Sequence, residues 1–351
     1  MRTAVYGASG YQGKLVGREL LRRGIEPVLV GRDGDRLRAA AREIGFGGAE
    51  PRVAGTDDPA ALIAAFGGTD AVVNCAGPFT VAGEAVVSAA IAAGCHYVDT
   101  AGEQLYLKRI FDRFGTDAAR AGVSVVPGLN DDGLLSDLIA HLAAASVDPV
   151  EELTIALDLV PGSSTPSRGT LRSMLATMEA FRSGGVGYQD GQWLADLPVR
   201  HSSMAFPGSP EQVPVARFAL PAVVTAPRHV RARRVEGVAR AGILDRFVAV
   251  TAELIETLPE GPAEEHRLTS EFLLVADALG ADGHRSRGVV HGRDPYGTTA
   301  VIAVEGARRL VTDGARPGVL APSEAYDPAD FLGFLTEYGV DWTVEVPAGS
   351  R

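Results

Sequence analysis

Lysine and cysteine are both rare in this chain of 351 residues. Lys14 and Lys108 are the only lysines, and neither stands four residues after a tyrosine, which excludes a Tyr-x-x-x-Lys catalytic pair and disfavours lysine Schiff-base chemistry. The two cysteines, Cys75 and Cys95, exclude a disulfide framework and lack zinc-site spacing. We therefore expect no metal centre, and a reducing compartment such as the cytoplasm.

Other absences narrow the class of protein further. No apolar run reaches membrane-spanning length, and the N-terminus enters a strand pattern at once, so we expect neither a membrane span nor a signal peptide. The formal net charge of -11 argues against general nucleic-acid binding. The chain is long enough for two domains of ordinary composition.

Three evenly spaced glycines follow the first predicted strand. Thr3 to Tyr6 is short, apolar and rich in β-formers, and Lys14 to Arg23 has apolar residues at helical spacing. Gly7 lets the strand turn, Gly10 lets a pyrophosphate approach the backbone, and Gly13 lets the helix pack on the strand. Because a helix N-terminus presents N–H groups to phosphate, this pattern predicts a dinucleotide-binding loop.

The end of the second predicted strand, Glu26 to Val30, indicates which dinucleotide binds. It is followed by Gly31 and Arg32, where NAD-binding proteins usually carry an acid for the adenosine ribose. The Arg32 guanidinium suits a 2′-phosphate, and Arg36 is a possible second cation. The alternative is that Arg32 is a solvated arginine of a loop. We predict NADP(H), with contacts from Gly7, Ser9, Gly10, Tyr11, Gln12, Gly13, Arg32, Arg36, Cys75, Ala76, Gly77, Pro78 and Gly102.

Strands and helices alternate through the first half. Further strands are predicted at 52–54, 70–74, 96–99 and 123–126. This alternation favours right-handed crossovers and a doubly wound parallel sheet, the Rossmann arrangement of the α/β class. Ligands of such sheets bind outside the carboxyl ends of the strands. We therefore expect one shared crevice formed by the segments after Val30, Asn74, Asp99 and Val126.

The second half has a different pattern. It predicts a strand at 152–159, a helix at 167–185, a hairpin around Asp282 and Gly283, and a helix at 295–314. Such paired strands indicate a second α+β domain built on a mixed or antiparallel sheet. We divide the chain into a Rossmann domain at 1–147, with about 320–351 packing back on it, and a substrate and oligomerisation domain at 148–319.

Five segments carry a family resemblance: "GASGYQG", "VNCAGPF", "HYVDTAGE", "PGLNDDGLLSDL" and "GRDPYGTTA". Together they resemble the saccharopine dehydrogenase-like NADP-binding oxidoreductases, and within them the group that includes trans-acting enoyl reductases. The resemblance implies a Rossmann domain, a second α/β domain and NADP(H), without implying one substrate.

Polar residues after the strands are candidate proton donors. They are Tyr97, Asp99, Glu103, Asn130, Asp131 and Asp132. We place Asp132 first as the catalytic acid and Tyr97 second. The alternatives are that Asp132 is a helix N-cap, that Tyr97 is buried in the core and that Glu103 caps a turn.

Residues of the second half are candidates for substrate binding. Ser167, Arg168 and Thr170 open a predicted helix and, with Asn130, can bind a carbonyl, carboxylate or phosphate; a capped helix start is the alternative. Five arginines between Arg228 and Arg240 suit either an acidic partner such as a carrier protein or a charged edge strand.

These patterns favour an NADPH-dependent reductase that acts on a polarised C=C or C=N bond of a small metabolite or carrier-bound acyl group. An amino-acid-type imine dehydrogenase and a non-catalytic NADP sensor are the alternatives. A homodimer is compatible with the second domain.

Overall fold

The computed structural model describes residues 1–48, 50–159, 166–195, 197–209, 211–242 and 250–345. In these segments the strands are β1 (Arg2–Tyr6), β2 (Glu26–Gly31), β3 (Arg52–Val53), β4 (Ala71–Asn74), β5 (His96–Asp99), β6 (Ser124–Val126), β7 (Val150–Leu159), β8 (Gly187–Gln189), β9 (Gln192–Leu194), β10 (Ser203–Ala205), β11 (Gln212–Arg217), β12 (Ala232–Arg240), β13 (Glu271–Gly280), β14 (Arg285–Arg293), β15 (Gly318–Val319) and β16 (Asp341–Glu345). The helices are α1 (Tyr11–Arg22), α2 (Gly34–Glu43), α3 (Pro59–Phe66), α4 (Phe79–Ala92), α5 (Gln104–Ala121), α6 (Leu134–Ala144), α7 (Arg168–Ala176), α8 (Met178–Ser183), α9 (Ala222–Thr225), α10 (Ala252–Thr257), α11 (Glu264–Thr269), α12 (Pro295–Thr312), α13 (Pro322–Ala325) and α14 (Pro328–Leu335).

The first sheet is parallel and has the order β15-β6-β5-β4-β1-β2-β3. Its N-terminal strands follow the Rossmann order 3-2-1-4-5-6, which confirms the predicted doubly wound sheet. Tyr6 pairs with Asn74, and Asn74 pairs with Asp99, so the loops after these strands start at one edge of the sheet. Helices cover both faces, which is why the central strands are almost continuously apolar.

The second sheet is mixed and has the order β10-β11-β12-β7-β13-β14-β16, with the β8–β9 hairpin attached to β12. The β12–β7 pair is parallel and the neighbouring pairs are antiparallel. The predicted hairpin around Asp282 and Gly283 is the β13–β14 pair. The prediction of a second α+β region built on a mixed sheet is therefore confirmed.

Two helices join the sheets. α6 leaves the first sheet and packs on β13 and β14, while α12 leaves the second sheet and packs on α1, β4 and β5. One apolar cluster consequently includes Val5, Leu20, Leu138, Ile155 and Ile302, from both halves of the chain. This exchange of helices fixes the start of α12 beside the glycine loop. No helix in the described segments is long and apolar enough to cross a membrane.

Two expectations for the second half are wrong. The helix predicted at 167–185 is two helices, because Thr177 leaves the helical conformation between α7 and α8 (φ -113°). The arginine-rich segment is not an edge strand, since β12 lies between β11 and β7 inside the sheet. Four of its guanidinium groups are already paired with carboxylates: Arg228 with Glu324, Arg233 with Glu151 and Asp190, Arg234 with Glu236, and Arg240 with Asp158.

Candidate active site

The loop between β1 and α1 makes contacts that side chains would obstruct. Gly7 has a φ of +78°, and a Cβ on Gly13 would lie 2.2 Å from the Gly7 carbonyl oxygen. These two glycines are therefore required by the turn and by helix packing. Gly10 differs, because its φ of -87° suits any residue and a Cβ there would lie 3.3 Å from the Gly7 oxygen. The backbone conformation at Gly10 therefore allows a side chain, and the role of glycine there is to leave the backbone accessible to a ligand.

The start of α1 fits a pyrophosphate. Among the described residues no side chain caps this helix, so the N–H groups of Tyr11, Gln12 and Gly13 have no intrahelical or capping partner there. The side chains of Tyr11 and Gln12 are engaged elsewhere: the Tyr11 hydroxyl donates to the Pro262 carbonyl (2.9 Å) and the Gln12 amide donates to the Tyr296 carbonyl (3.1 Å). The backbone N–H groups are therefore what the loop offers to an anion.

Arg32 is the cation available at the end of β2. Its side chain is exposed, and within the described part of the chain it forms no ion pair. Arg36 is also exposed, but its guanidinium lies 3.5 Å from the Glu260 carboxylate. Of the two predicted phosphate ligands, Arg32 is therefore the more available, since the Arg36 guanidinium already pairs with the Glu260 carboxylate.

A buried polar network holds the loops that follow β4, β5 and β6. The Asp99 carboxylate accepts hydrogen bonds from the hydroxyls of Tyr97 (2.9 Å) and Tyr106 (2.8 Å), and from the backbone N–H groups of Ala101 (3.1 Å) and Gly128 (2.8 Å). Burial raises the pKa of Asp99 to about 6, against the opposing effect of the Gly128 N–H. Asp99 therefore fixes the strand-end loops rather than facing a ligand.

Tyr97 lies inside this network and has no exposed surface. Its hydroxyl contacts Asn74, Asp99 and Tyr106, all of them fully buried. Burial also raises its pKa well above the usual value. This placement argues against our assignment of Tyr97 as a proton donor, because a catalytic acid must touch the substrate or a water beside it.

We expect Tyr97→Phe to lower stability without removing activity. The change keeps the ring in the core but deletes one hydrogen bond to Asp99, so the free energy of unfolding should fall by about 1–2 kcal/mol. NADPH affinity and turnover should stay within about threefold, an effect under 1 kcal/mol. Chemical denaturation and NADPH oxidation measure the two quantities. A large loss of turnover in a folded, cofactor-binding variant would restore Tyr97 as a catalytic candidate.

Several predicted contacts lie together at the carboxyl edge of the first sheet. A Cβ on Gly77 would lie 2.7 Å from the Ser173 hydroxyl, so α7 of the second half packs directly over the loop after β4. A Cβ on Gly102 would lie 3.4 Å from the Asn130 amide and 3.6 Å from the Asp132 carboxylate. The loops after β5 and β6 are therefore in contact.

Two neighbouring predicted residues have structural roles. The Glu103 carboxylate accepts from the backbone N–H groups of Phe79 (2.8 Å) and Thr80 (2.6 Å), so it caps α4. Cys75 is half-buried, and burial raises the pKa of its thiol, which agrees with a packing role.

Asp131 and Asp132 form a pair of adjacent carboxyl groups. Asp132 accepts from the Asn130 amide (2.5 Å), and the Thr299 hydroxyl of α12 donates to Asp131 (3.1 Å). Burial raises the pKa of both acids, and the charge of Asp132 raises that of Asp131 further. At least one of the two therefore holds a proton to higher pH than an ordinary aspartate.

Asp132 is not the N-cap of α6. The helix begins at Leu134, and the Gly133 N–H donates to the Asn130 side chain (2.8 Å). Asn130, which we assigned to substrate binding, is thus partly used in shaping this turn. The N-cap alternative for Asp132 is wrong, and its carboxyl group has no such helix-starting role.

The start of α7 has the predicted capped form. Ser167 caps the helix by accepting from the Thr170 N–H (3.1 Å), and the Arg168 side chain donates to the Leu258 carbonyl. Arg168 is therefore held by the segment at 258–262, and this contact competes with any ligand. Glu260 of the same segment pairs with Lys14 (2.8 Å), which ties this second-half segment to α1.

Tyr296 is a site residue that sequence reasoning did not single out. Its hydroxyl accepts from the Ser167 N–H (2.7 Å) and lies 3.0 Å from the Thr170 hydroxyl. Its ring meets that of Tyr11 edge to face, with centroids 5.2 Å apart. The only signal in the sequence was its presence in "GRDPYGTTA", far along the chain from all of these partners.

One group in the described part of the chain has donors that can hold a cation. Ligand atoms of Glu152, His201 and Glu236 lie within 4.8 Å of one another. The same carboxylates pair with Arg200 (2.8 Å) and Arg234 (2.8 Å), which balance their charge without a metal. The His201 ring belongs to this cluster, since its Nε2 lies 2.6 Å from the Glu152 carboxylate.

The Rossmann order and the glycine loop before α1 are typical of a dinucleotide-binding domain. Residues 3–126 match the family described as the saccharopine dehydrogenase NADP binding domain, which confirms the resemblance. A provisionally named trans-acting enoyl reductase of Mycobacterium tuberculosis is 32% identical over 181 residues, which are 50% of this chain and 43% of that protein. The trans-acting enoyl reductase of Mycobacterium ulcerans is 32% identical over 141 residues, 39% of this chain and 34% of its own length.

The similarity to these curated relatives covers less than half of their length. Among solved structures, saccharopine dehydrogenase (L-Glu forming) from Saccharomyces cerevisiae matches 98% of this chain and 100% of its own, with a TM-score of 0.61. At 14% sequence identity this match shows the fold alone. The match supports the two-sheet architecture described above.

Proposed function

We propose that the protein is an NADPH-dependent reductase. The observation that carries this proposal is the exposed, unshared Arg32 at the end of β2, within a domain that matches an NADP-binding family. The residues of the glycine loop fit the pyrophosphate, because the start of α1 is uncapped and Gly10 leaves its backbone open. Residues 1–147 would hold the cofactor and 148–319 would supply most of the substrate contacts.

The reaction we propose is reduction of a polarised C=C bond in an acyl group, with a C=N bond as the second candidate. When bound, NADPH supplies a hydride. The chain supplies the proton from Asp132, which lies beside Gly102 at the carboxyl edge of the sheet. The names of the relatives favour the enoyl substrate.

NADPH oxidation tests the reaction, with crotonyl-N-acetylcysteamine as the enoyl probe and a cyclic imine as the C=N probe. Turnover of the thioester supports an enoyl reductase, and turnover of the imine alone supports the second candidate. NADPH binding without oxidation of either probe would contradict both.

Arg32→Ala should weaken NADPH binding about tenfold while leaving NADH binding nearly unchanged. A charge-assisted pair with the 2′-phosphate is worth roughly 1.5–3 kcal/mol, and NADH lacks that phosphate. Fluorescence titration with both cofactors measures the difference. Arg38→Ala is the matched control, because Arg38 is an exposed arginine of α2 that pairs with Asp35 (2.7 Å). Equal losses for the two cofactors would overturn the assignment of Arg32.

A further inference from the structure

Three hydrogen-bond donors converge where α7 meets α12. The Ser167 N–H donates to the Tyr296 hydroxyl oxygen (2.7 Å), and the Thr170 hydroxyl lies 3.0 Å from the same oxygen. These donors come from two elements, since Tyr296 opens α12 and the other two residues open α7. These three groups satisfy one another here.

The Tyr296 hydroxyl can turn to a ligand without leaving a neighbour unpaired. Thr170 has a second partner, since its hydroxyl lies 3.1 Å from the Ser167 hydroxyl. The Tyr296 oxygen already accepts from a backbone N–H, which polarises its own O–H bond and strengthens it as a donor. Burial raises the pKa of Tyr296, so the phenol keeps its proton at neutral pH.

Tyr296 lies between the cofactor loop and the acid pair. Its carbonyl accepts from Gln12 and its ring contacts Tyr11, both at the start of α1. Three residues later on the same helix, Thr299 bonds to Asp131. This helix therefore connects Tyr296 both to the start of α1 and to the acid pair.

We propose that the Tyr296 hydroxyl, which accepts from the Ser167 N–H and lies beside the Thr170 hydroxyl, binds the carbonyl oxygen of an unsaturated acyl thioester. This inference rests on the proposed reductase function and names the substrate class for it. NADPH, when bound, would supply a hydride to the β-carbon of a conjugated thioester, and the π electrons would move onto the carbonyl oxygen. The reaction is completed by transfer of the Asp132 proton to the α-carbon, leaving NADP⁺ and an aspartate carboxylate. Negative charge thus develops on the oxygen that Tyr296 contacts.

The carbonyl contact can be measured without turnover. The probe is [1-¹³C]butanoyl-N-acetylcysteamine, a saturated thioester, bound to the protein with NADP⁺. Hydrogen bonding should move the carbonyl ¹³C resonance downfield in the wild type, and Tyr296→Phe should lose most of this shift. Tyr338→Phe is the matched control, because it deletes a tyrosine hydroxyl that is bonded to Arg22 (2.8 Å) at the other end of α1. An equal shift in wild type and Tyr296→Phe, or no shift in the wild type, would overturn the proposal.

The kinetic test separates this proposal from the reductase function. With crotonyl-N-acetylcysteamine, Tyr296→Phe should lower kcat about tenfold or more, as expected for loss of one donor to a developing oxyanion, with NADPH affinity unchanged. If Tyr296→Phe oxidised NADPH as fast as the wild type, the role of Tyr296 would be refuted and the reductase function would stand. If the wild type showed the carbonyl ¹³C shift but did not oxidise NADPH, the carbonyl-binding site would stand and the reductase function would be refuted.

Discussion

Gly10→Val should lower NADPH affinity by about 10²-fold or more while the protein stays folded. The φ of -87° at Gly10 is ordinary for valine, and a Cβ there lies 3.3 Å from the Gly7 oxygen, a tight contact that a small shift relieves. The branched side chain would instead cover the uncapped start of α1, where the pyrophosphate has to approach. Fluorescence titration with NADPH and circular dichroism measure the two effects.

Gly115→Val is the matched control for this change. Gly115 lies in α5, and a Cβ added there has no atom within 4 Å. The variant therefore shows the effect of replacing a glycine by valine away from the cofactor loop, and its NADPH affinity should be unchanged. Gly13→Ala, unlike Gly10→Val, should lower the stability of the fold itself, because its Cβ would lie 2.2 Å from the Gly7 carbonyl oxygen and disturb the packing of α1. A Gly10→Val protein that still binds NADPH tightly would show that this loop does not hold the phosphates.

The N-terminal half of the fold was predictable because its signals are local. The glycine spacing of the first loop and the alternation of apolar strands with helical patterns are each confined to a few residues. The resulting sheet order followed from general rules of chain connection. The same reasoning did not foresee β15, because a two-residue strand that pairs with β6 from far along the chain has no periodicity to detect.

The candidate site was only partly predictable, since several of its contacts join distant parts of the chain. Tyr296 meets Ser167 and Gln12 because α12 crosses back to the first sheet, and nothing in its local sequence specifies that crossing. Tyr97 shows a different limit, because alternation along a strand leaves open which face is buried. For Asp132, the helix start lies one residue later than the N-cap alternative required, since Gly133 is the residue before α6, and this removed the capping role.

Asp132→Asn should lower kcat by about 10²-fold or more with NADPH affinity intact. Because Asp132 does not cap α6, the expected loss cannot be attributed to the helix start, and an asparagine oxygen can still accept from Asn130. The wild-type rate should fall as the pH rises through the raised pKa of the acid pair, since the donor then loses its proton. In Asp132→Asn this dependence should disappear from the residual rate.

Asp131→Asn separates the two acids. The charge of Asp132 raises the pKa of Asp131, and charge repulsion within a pair is mutual. Replacing Asp131 with a neutral amide should therefore move the decline of the rate to lower pH, while the maximal rate at acidic pH is largely kept. Steady-state NADPH oxidation with the crotonyl thioester between about pH 5 and 9 measures both variants against the wild type. If Asp132→Asn turned over as fast as the wild type with an unchanged pH profile, Asp132 would not be the proton donor. If only Asp131→Asn were inactive, the proton would come from the carboxyl group bonded to Thr299 instead.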